Sequence, residues 1–153
     1  YDVMLRQGSG HILNMGSADG LVPFPMMTAY ATTKAAIIEF SAALRAEAAG
    51  LGVRVSVACP GSIRTPMHDH STLVTQLRDA DALRKQFNQQ YDYLAMDAHD
   101  CARAILRGVE RHRGIIVITA FSRLCWWLHR LNPALIEPLH RAWVQGIRQH
   151  RIA

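Results

Sequence analysis

The sequence has few cysteines and no long hydrophobic run, and each absence narrows the class of protein. Cys59, Cys101 and Cys125 lie far apart and form neither a CxxC pair nor a metal-ligand spacing. We therefore expect reduced thiols in a cytoplasmic protein, with Cys59 filling core space at a strand end. No stretch of about 18 or more residues is uninterruptedly apolar, so no transmembrane helix is predicted.

The first residues also lack the marks of a leader sequence. There is no initiator methionine and no basic start followed by an apolar run, so residues 1–6 are not expected to be a signal peptide. They are expected instead to be the later part of a helix. Internal repeats and low-complexity segments are absent too. The 153 residues, 50% apolar and 19% charged, suit one soluble globular domain rather than a disordered chain.

Acidic residues are scarce in the last part of the chain. The whole chain has a net charge of +5. Residues 121–153 contain five arginines and one acidic residue, Glu137, and so account for 5 − 1 = +4 of it. The basic excess is therefore a property of this tail, and basic charge alone is weak evidence for nucleic acid as a partner.

Short apolar runs alternate with helical patterns along residues 1–120. Residues 1–9 are predicted to end a helix, with Gly8 as its stop, and residues 10–16 to form a buried strand. A helix is predicted from about Thr28 to Ala49, and a second buried strand over residues 53–59.

The second half continues the same alternation. Residues 65–98 are predicted to hold one or two helices, residues 100–111 an amphipathic helix starting at Asp100, and residues 114–119 a third strand. Such alternation indicates a parallel α/β sheet. Pro60 and Gly61 follow the second strand, at the edge where open α/β sheets bind ligands.

The chemically suggestive residues gather around the pentapeptide Tyr30-Ala31-Thr32-Thr33-Lys34. Residues four apart on a helix share a face, so the phenol of Tyr30 and the ammonium of Lys34 should project side by side. A nearby cation favours the phenolate, which makes the pair a candidate general acid/base. Upstream, Ser17 ends an apolar run, where its hydroxyl could polarise a carbonyl. A lone YxxxK is common, and such a pair is more often simply solvated.

Two further blocks flank the pentapeptide in a characteristic order. The run from Gly10 to Gly20 places Asn14 and Ser17 at a strand end, and the run from Val53 to Pro66 ends a strand in P-G-x-x-x-T. With all three blocks in order and spacing, residues 1–120 resemble the short-chain dehydrogenase/reductase family. The resemblance implies the carboxyl-terminal part of a Rossmann-like, doubly wound parallel α/β sheet.

The resemblance also implies a reaction and a set of roles. It implies hydride transfer between NAD or NADP and an alcohol/carbonyl pair, in which Tyr30 exchanges the proton, Lys34 assists and binds the nicotinamide ribose, and Ser17 holds the substrate oxygen. A lid from Pro66 onwards would choose the substrate. The residues that the resemblance places against the cofactor are Tyr30, Lys34, Pro60, Gly61, Ile63 and Thr65.

The family's glycine-rich G-x-x-x-G-x-G turn and its N-N-A-G block do not occur in this sequence. Gly8-Ser9-Gly10 is no substitute, because it precedes a strand instead of opening a helix. The sequence therefore resembles the carboxyl-terminal portion of a longer enzyme. The dinucleotide pyrophosphate is bound by backbone N–H groups at a helix start that is not present here.

Other features leave alternatives open. The loop over residues 21–27 either lines a substrate cleft or packs on the body, and its apolar residues hint at a lipophilic alcohol or ketone. His68 and His70 are too few for a metal site, so none is expected. His129, His140 and His150 are expected to face solvent.

The tail, residues 121–153, is predicted to form a basic amphipathic helix over residues 134–152, with Leu135, Leu139, Trp143 and Ile147 on one side. It suits packing on protein, on a partner subunit or on the protein's own cleft, and it also suits contact with a membrane surface. The rival to an oxidoreductase is a non-catalytic, family-derived interaction module. In either case a homo-oligomer is expected, since in the family the helices equivalent to residues 1–8 and 28–49 often form the dimer interface.

Overall fold

A computed structural model describes residues 1–65 and 95–148, and within these ranges the strands form one parallel sheet in the order β1-β2-β3. The strands are β1 (Gly10–Met15), β2 (Val53–Cys59) and β3 (Ile115–Val117). Because all three run the same way, their carboxyl ends meet at one edge. The predicted α/β fold is confirmed, and the third strand is shorter than predicted.

Five helices and two short 3₁₀ turns accompany the sheet in the described part of the chain. They are α1 (Asp2–Gln7), a 3₁₀ turn (Ala18–Gly20), α2 (Thr28–Glu47), α3 (Ala98–Glu110), α4 (Ala120–Leu131), a second 3₁₀ turn (Pro133–Leu135) and α5 (Glu137–Arg148). Helix α1 ends as predicted at Gly8, whose φ of 68° is left-handed and favours glycine.

Helices α1 and α2 pack on one face of the sheet. Val53 and Val55 of β2 are buried there with Ala48, against the partly buried Met4 and Leu44. Nearer the carboxyl edge, Ile38 of α2 is buried against Val57 and Cys59. The buried residues of α2, Ala31, Ile38 and Ser41, are seven and three residues apart, a spacing that places them on one face of the helix.

Helix α3 covers the opposite face, next to β3. Successive strand residues point to opposite faces, so Ile115 joins the α2 side while Ile116 packs with Cys101 of α3. Gly108 lets the helix approach closely, because a Cβ there would meet the Ile116 side chain at 2.6 Å. The sheet is therefore covered on both faces where β2 meets β3.

The start of α3 lies two residues before the predicted Asp100, within the polar group of Asp97, His99 and Asp100 that the sequence indicates for a helix start. The helix begins at Ala98 and its N-cap is Asp97, whose carboxylate accepts hydrogen bonds from the backbone N–H groups of His99 (2.8 Å) and Asp100 (3.4 Å). These two bonds also lower the pKa of Asp97. Asp100 lies within the first turn, where a negative charge favours the helix but does not start it.

The predicted end of the third strand was also wrong. The strand stops at Val117, and Thr119 has a φ of 77°, which is unusual for a β-branched residue. Its hydroxyl accepts a hydrogen bond from the Ser122 backbone N–H (3.3 Å), so Thr119 caps α4 instead of extending β3.

The tail forms two helices where one was predicted over residues 134–152. Pro133 begins a 3₁₀ turn and α5 starts at Glu137. The additional helix is α4, which contains Trp126 and Trp127. The tail packs on the body through Cys125 and Ile136, which are buried with Val22. The loop over residues 21–27 thus contacts the tail, and the structure favours packing for this loop.

The expectation that His140 faces solvent was wrong. Its ring is half-buried and lies edge-on to Phe24, with 5.3 Å between centroids, and Trp143 contacts the same Phe24 ring at 5.6 Å. Within the described residues its Nε2 is buried without a hydrogen-bond partner. Burial, together with the neighbouring His129, lowers the pKa of His140, and Glu137 partly opposes this. His129 is also partly buried.

Among residues 1–65 and 95–148, no helix combines the length and the apolar content that crossing a bilayer requires.

The burial of His140 predicts a stability that depends on pH. The pKa of His140 lies below 6.5 in the folded chain, so the unfolded chain binds the proton first as the pH falls through this value. We expect the free energy of unfolding, measured by urea titration, to fall from pH 7 to pH 5. His140→Phe keeps an aromatic ring against Phe24 but cannot be protonated, so its decline should be shallower.

His99→Gln is the matched control, because His99 is exposed at the start of α3. This variant should retain the whole decline with pH. If His140→Phe declines in parallel with the wild type, the buried imidazole is not a source of the acid sensitivity.

Candidate active site

Tyr30 and Lys34 lie one turn apart near the start of α2. Both residues are half-buried, and the Lys34 Nζ is 5.6 Å from the centroid of the Tyr30 ring. The i, i+4 spacing in the sequence thus becomes a physical neighbourhood between ammonium and phenol.

The Lys34 side chain also reaches the end of β1. Its Nζ donates a hydrogen bond to the Met15 carbonyl oxygen at 3.0 Å. This bond ties α2 to the carboxyl edge of the sheet and fixes the direction of the ammonium. Residue-type patterns could not reveal this partner, because every residue offers the same backbone carbonyl oxygen.

Ser17 lies directly after β1, in a segment hydrogen-bonded to the end of β2. Gly16 N–H donates to the Ala58 carbonyl and Ala18 N–H to the Pro60 carbonyl, both at 2.8 Å. Ser17 is buried, and its hydroxyl oxygen accepts from the Asp19 N–H at 3.2 Å. A hydroxyl that accepts one hydrogen bond can still donate its proton.

Gly20 sets the distance between this segment and α2. A Cβ at Gly20 would lie 2.7 Å from the Lys34 carbonyl carbon and 2.8 Å from the Ala35 nitrogen. Only a residue without a side chain lets the 3₁₀ turn rest on the backbone of α2 at this height. The turn that starts at Ser17 is therefore seated on the helix that carries Tyr30.

Cys59 is the last residue of β2 and is buried below Ser17 and Lys34. The thiol is fully buried, and burial raises its pKa to about 12, partly opposed by a hydrogen bond from the Ser17 N–H and by the Lys34 charge. The prediction that Cys59 fills core space at a strand end is confirmed. A thiol with this pKa stays protonated at neutral pH, so it is no nucleophile there.

The segment after β2 runs along the same edge of the sheet. Gly61 packs against the start of α4, where a Cβ would collide with the Ser122 hydroxyl and lie 2.7 Å from the Thr119 hydroxyl. Ile63 forms a parallel bridge with Met96: Arg64 N–H donates to the Met96 carbonyl (2.9 Å), and Met96 N–H to the Ser62 carbonyl (3.0 Å). Thr65 is exposed.

A groove of about 380 Å³ lies along another face of α2. Neither Tyr30 nor Lys34 is among its described lining residues. The loop over residues 21–27 therefore contributes Pro23, Phe24 and Pro25 to a groove beside the candidate site. The lining is formed by Asp19, Gly20, Pro23, Phe24, Pro25, Thr28, Ala31, Thr32 and Ala35.

The predicted lid from Pro66 onwards and the pair His68 and His70 lie outside the described residues. Within residues 1–65 and 95–148, no three His, Cys, Asp or Glu side chains lie close enough together to hold a metal ion.

Comparison with known proteins gives the same class of protein as the fold and the Tyr–Lys helix. The family model described as short chain dehydrogenase matches residues 1–76. The 2-(R)-hydroxypropyl-CoM dehydrogenase of Xanthobacter autotrophicus is 41% identical over 76 residues, which are 50% of this chain and 30% of that protein. The dehydrogenase/reductase SDR family member 7B of Danio rerio is 30% identical over 133 residues, 86% of this chain and 41% of that protein.

A solved structure shares the fold. The short chain dehydrogenase from Burkholderia cenocepacia, in complex with NADP, matches with a TM-score of 0.69 and 19% identity, over 91% of this chain and 50% of that one. The aligned regions span half or less of the length of these three proteins. The chain is a Rossmann-like α/β protein, and it belongs to the short-chain dehydrogenase/reductase family of oxidoreductases.

The contact between Gly20 and α2 can be tested by adding one methyl group. Gly20→Ala should destabilise the chain by roughly 1–3 kcal/mol in urea unfolding, because the new Cβ meets backbone atoms that cannot move aside easily. Gly146→Ala in α5 is the matched control. A Cβ at Gly146 has no atom within 4 Å, and alanine favours helix over glycine by up to about 1 kcal/mol. Equal effects of the two substitutions would contradict the proposed role of the Gly20 contact.

Proposed function

We propose that this chain carries the proton-transfer machinery of an NAD(P)-dependent oxidoreductase that interconverts an alcohol and a carbonyl compound. The observation that carries the proposal is the Tyr30–Lys34 pair on α2, with the ammonium 5.6 Å from the phenol ring and anchored to the end of β1. Ser17 directly follows the same strand end, at the edge where open α/β sheets bind ligands, which supports a role as hydrogen-bond donor to the substrate oxygen.

In the direction of reduction, the Tyr30 hydroxyl gives its proton to the carbonyl oxygen of the substrate while a hydride reaches the carbonyl carbon. The products are the alcohol and the Tyr30 phenolate, and the adjacent Lys34 ammonium favours that anion. Ser17 donates a hydrogen bond to the same substrate oxygen and stabilises the negative charge that develops on it. Oxidation reverses each step, with the phenolate taking the proton of the alcohol. The nicotinamide supplies or accepts the hydride.

The residues after β2 are suited to hold the nicotinamide end of such a cofactor. Ser62 and Arg64 supply the backbone groups that pair with Met96, so the N–H and C=O of Ile63 point to the other side of the bridge. Pro60, Gly61 and Thr65 follow the same edge, and Lys34 has further ammonium protons for a ribose hydroxyl. The Burkholderia cenocepacia protein, with which this chain shares its fold, binds NADP. The residue that selects between NAD and NADP in the family does not occur in this sequence.

A non-catalytic interaction module is the second candidate. Phe40 is 60% exposed on α2, and Leu13 and Met15 of β1 are 38% and 48% exposed. These apolar side chains favour contact with further protein, in agreement with the proposal of a homo-oligomer. The same contacts could also accompany a catalytic role.

The chain alone should bind dinucleotides weakly. It lacks the glycine-rich turn that aligns backbone N–H groups on the pyrophosphate. Isothermal titration with NAD and with NADP should therefore give dissociation constants larger than about 1 mM. Micromolar binding by this chain would mean that it builds a pyrophosphate site by another route.

The role of Tyr30 can be tested where this chain is joined to a glycine-rich dinucleotide-binding unit. Tyr30→Phe should lower turnover of a ketone or alcohol panel, followed by NAD(P)H absorbance, by about 10² to 10⁴-fold, because the proton donor is lost. The thermal midpoint should be unchanged.

Tyr1→Phe removes the hydroxyl of an exposed tyrosine and should leave turnover intact. Retained turnover in Tyr30→Phe excludes the acid/base role. A joined protein that is folded and oligomeric, yet inactive with every substrate tried, favours the interaction module.

A further inference from the structure

We propose that α4 docks on the surface of a bilayer containing anionic lipids, through an exposed apolar stripe of Leu124, Trp127 and Leu131 flanked by Arg123 and Arg130. We call the three apolar residues the α4 stripe. The proposal concerns the tail and does not depend on catalysis at Tyr30.

The α4 stripe lies on the side of the helix that turns away from the body. Leu124, Trp127 and Leu131 are 58%, 57% and 75% exposed, and their spacing of three and four residues places them along one line of the helix. Ser122 and Cys125, on the opposite side, are buried. The helix is therefore already packed on the protein, and the stripe can meet a partner without any part of the fold opening.

Single exposed apolar residues are common on proteins, but several exposed apolar residues lie close together in the sequence of this tail. Phe121, one turn before Leu124, is 48% exposed, and Leu135 in the following 3₁₀ turn is 52% exposed. By contrast, Leu106 on α3 is as exposed as Leu124, at 58%, yet its helix neighbours Arg103 and Arg107 are charged. Contiguous exposed apolar residues of this kind mark an interaction surface, whereas an isolated one does not.

The charge beside the stripe points to the chemistry of the partner. The Arg130 guanidinium lies 5.3 Å from the Trp126 ring and 5.9 Å from the Trp127 ring, so a fixed positive charge adjoins the apolar surface. Helix α4 contains no Asp or Glu, and Glu137, the next acidic residue along the chain, is paired with Arg141 at 2.8 Å. Indole and guanidinium groups side by side match a headgroup layer of lipid phosphates, where each finds its preferred contact.

The length of the helix indicates a surface contact. Twelve residues extend about 18 Å at 1.5 Å per residue, well short of the roughly 30 Å hydrocarbon core. The helix can therefore lie in the interface plane, with its stripe towards the acyl chains and its arginines at the phosphates.

Vesicle sedimentation with the full chain tests the proposal. Binding to phosphatidylcholine vesicles that contain about 30% phosphatidylserine should be at least roughly tenfold stronger than to phosphatidylcholine alone, and it should weaken as salt is added. Leu131→Gln and Trp127→Gln should each lower the partition coefficient about tenfold, because the variants lose the transfer of one apolar side chain from water into the bilayer. Arg130→Gln should lower it about fivefold.

The matched controls lie on α3. Leu106→Gln removes an equally exposed leucine, Arg107→Gln removes an exposed arginine, and neither should change vesicle binding. Far-UV circular dichroism should be the same for all variants, since every replaced side chain is largely exposed.

Two results would overturn the proposal. One is vesicle binding that is absent, or equally strong for the α4 and α3 variants. The other is a self-association, seen by light scattering without lipid, that Leu131→Gln abolishes while vesicle binding is unaffected, which would make a second copy of this chain the occupant of the stripe.

Discussion

The hydrogen bond from the Lys34 Nζ to the Met15 carbonyl oxygen is the contact on which the candidate site depends. It joins α2, the helix that carries Tyr30, to the end of β1, the strand that Ser17 follows. The same ammonium influences the buried Cys59 thiol below. One side chain thus connects the core of the sheet to the edge at which a ligand would be bound.

Close backbone contacts hold the rest of that edge in place. Gly20 seats the turn after Ser17 on α2, and Gly61 seats the turn after β2 on the start of α4. Helices α4 and α5 also pack on Val22 and Phe24, so the tail supports the loop that leads into α2. The basic tail is therefore both a structural support and, in our proposal, the surface that meets lipid.

The sequence was sufficient to locate the three strands, because each is a short run bounded by glycine or proline, and β2 was predicted residue for residue, whereas β3 ends two residues earlier than predicted. It also predicted that Tyr30 and Lys34 are neighbours, because residues four apart on a helix share a face. It marked Asp97 as a residue of a helix start but chose Asp100 as the first one, and it failed at His140, whose burial depends on Phe24 over a hundred residues earlier. The Met15 carbonyl could not be foreseen, because backbone acceptors carry no residue-type signal.

The bridge between Ile63 and Met96 connects the edge of the sheet to the start of α3. Ser62 and Arg64 share two backbone hydrogen bonds with Met96, and the next residue, Asp97, caps the helix. The segment after β2 is therefore anchored by its own strand on one side and by a helix start on the other. A helix that covers the far face of the sheet is thereby coupled to the residues that we propose to hold the nicotinamide.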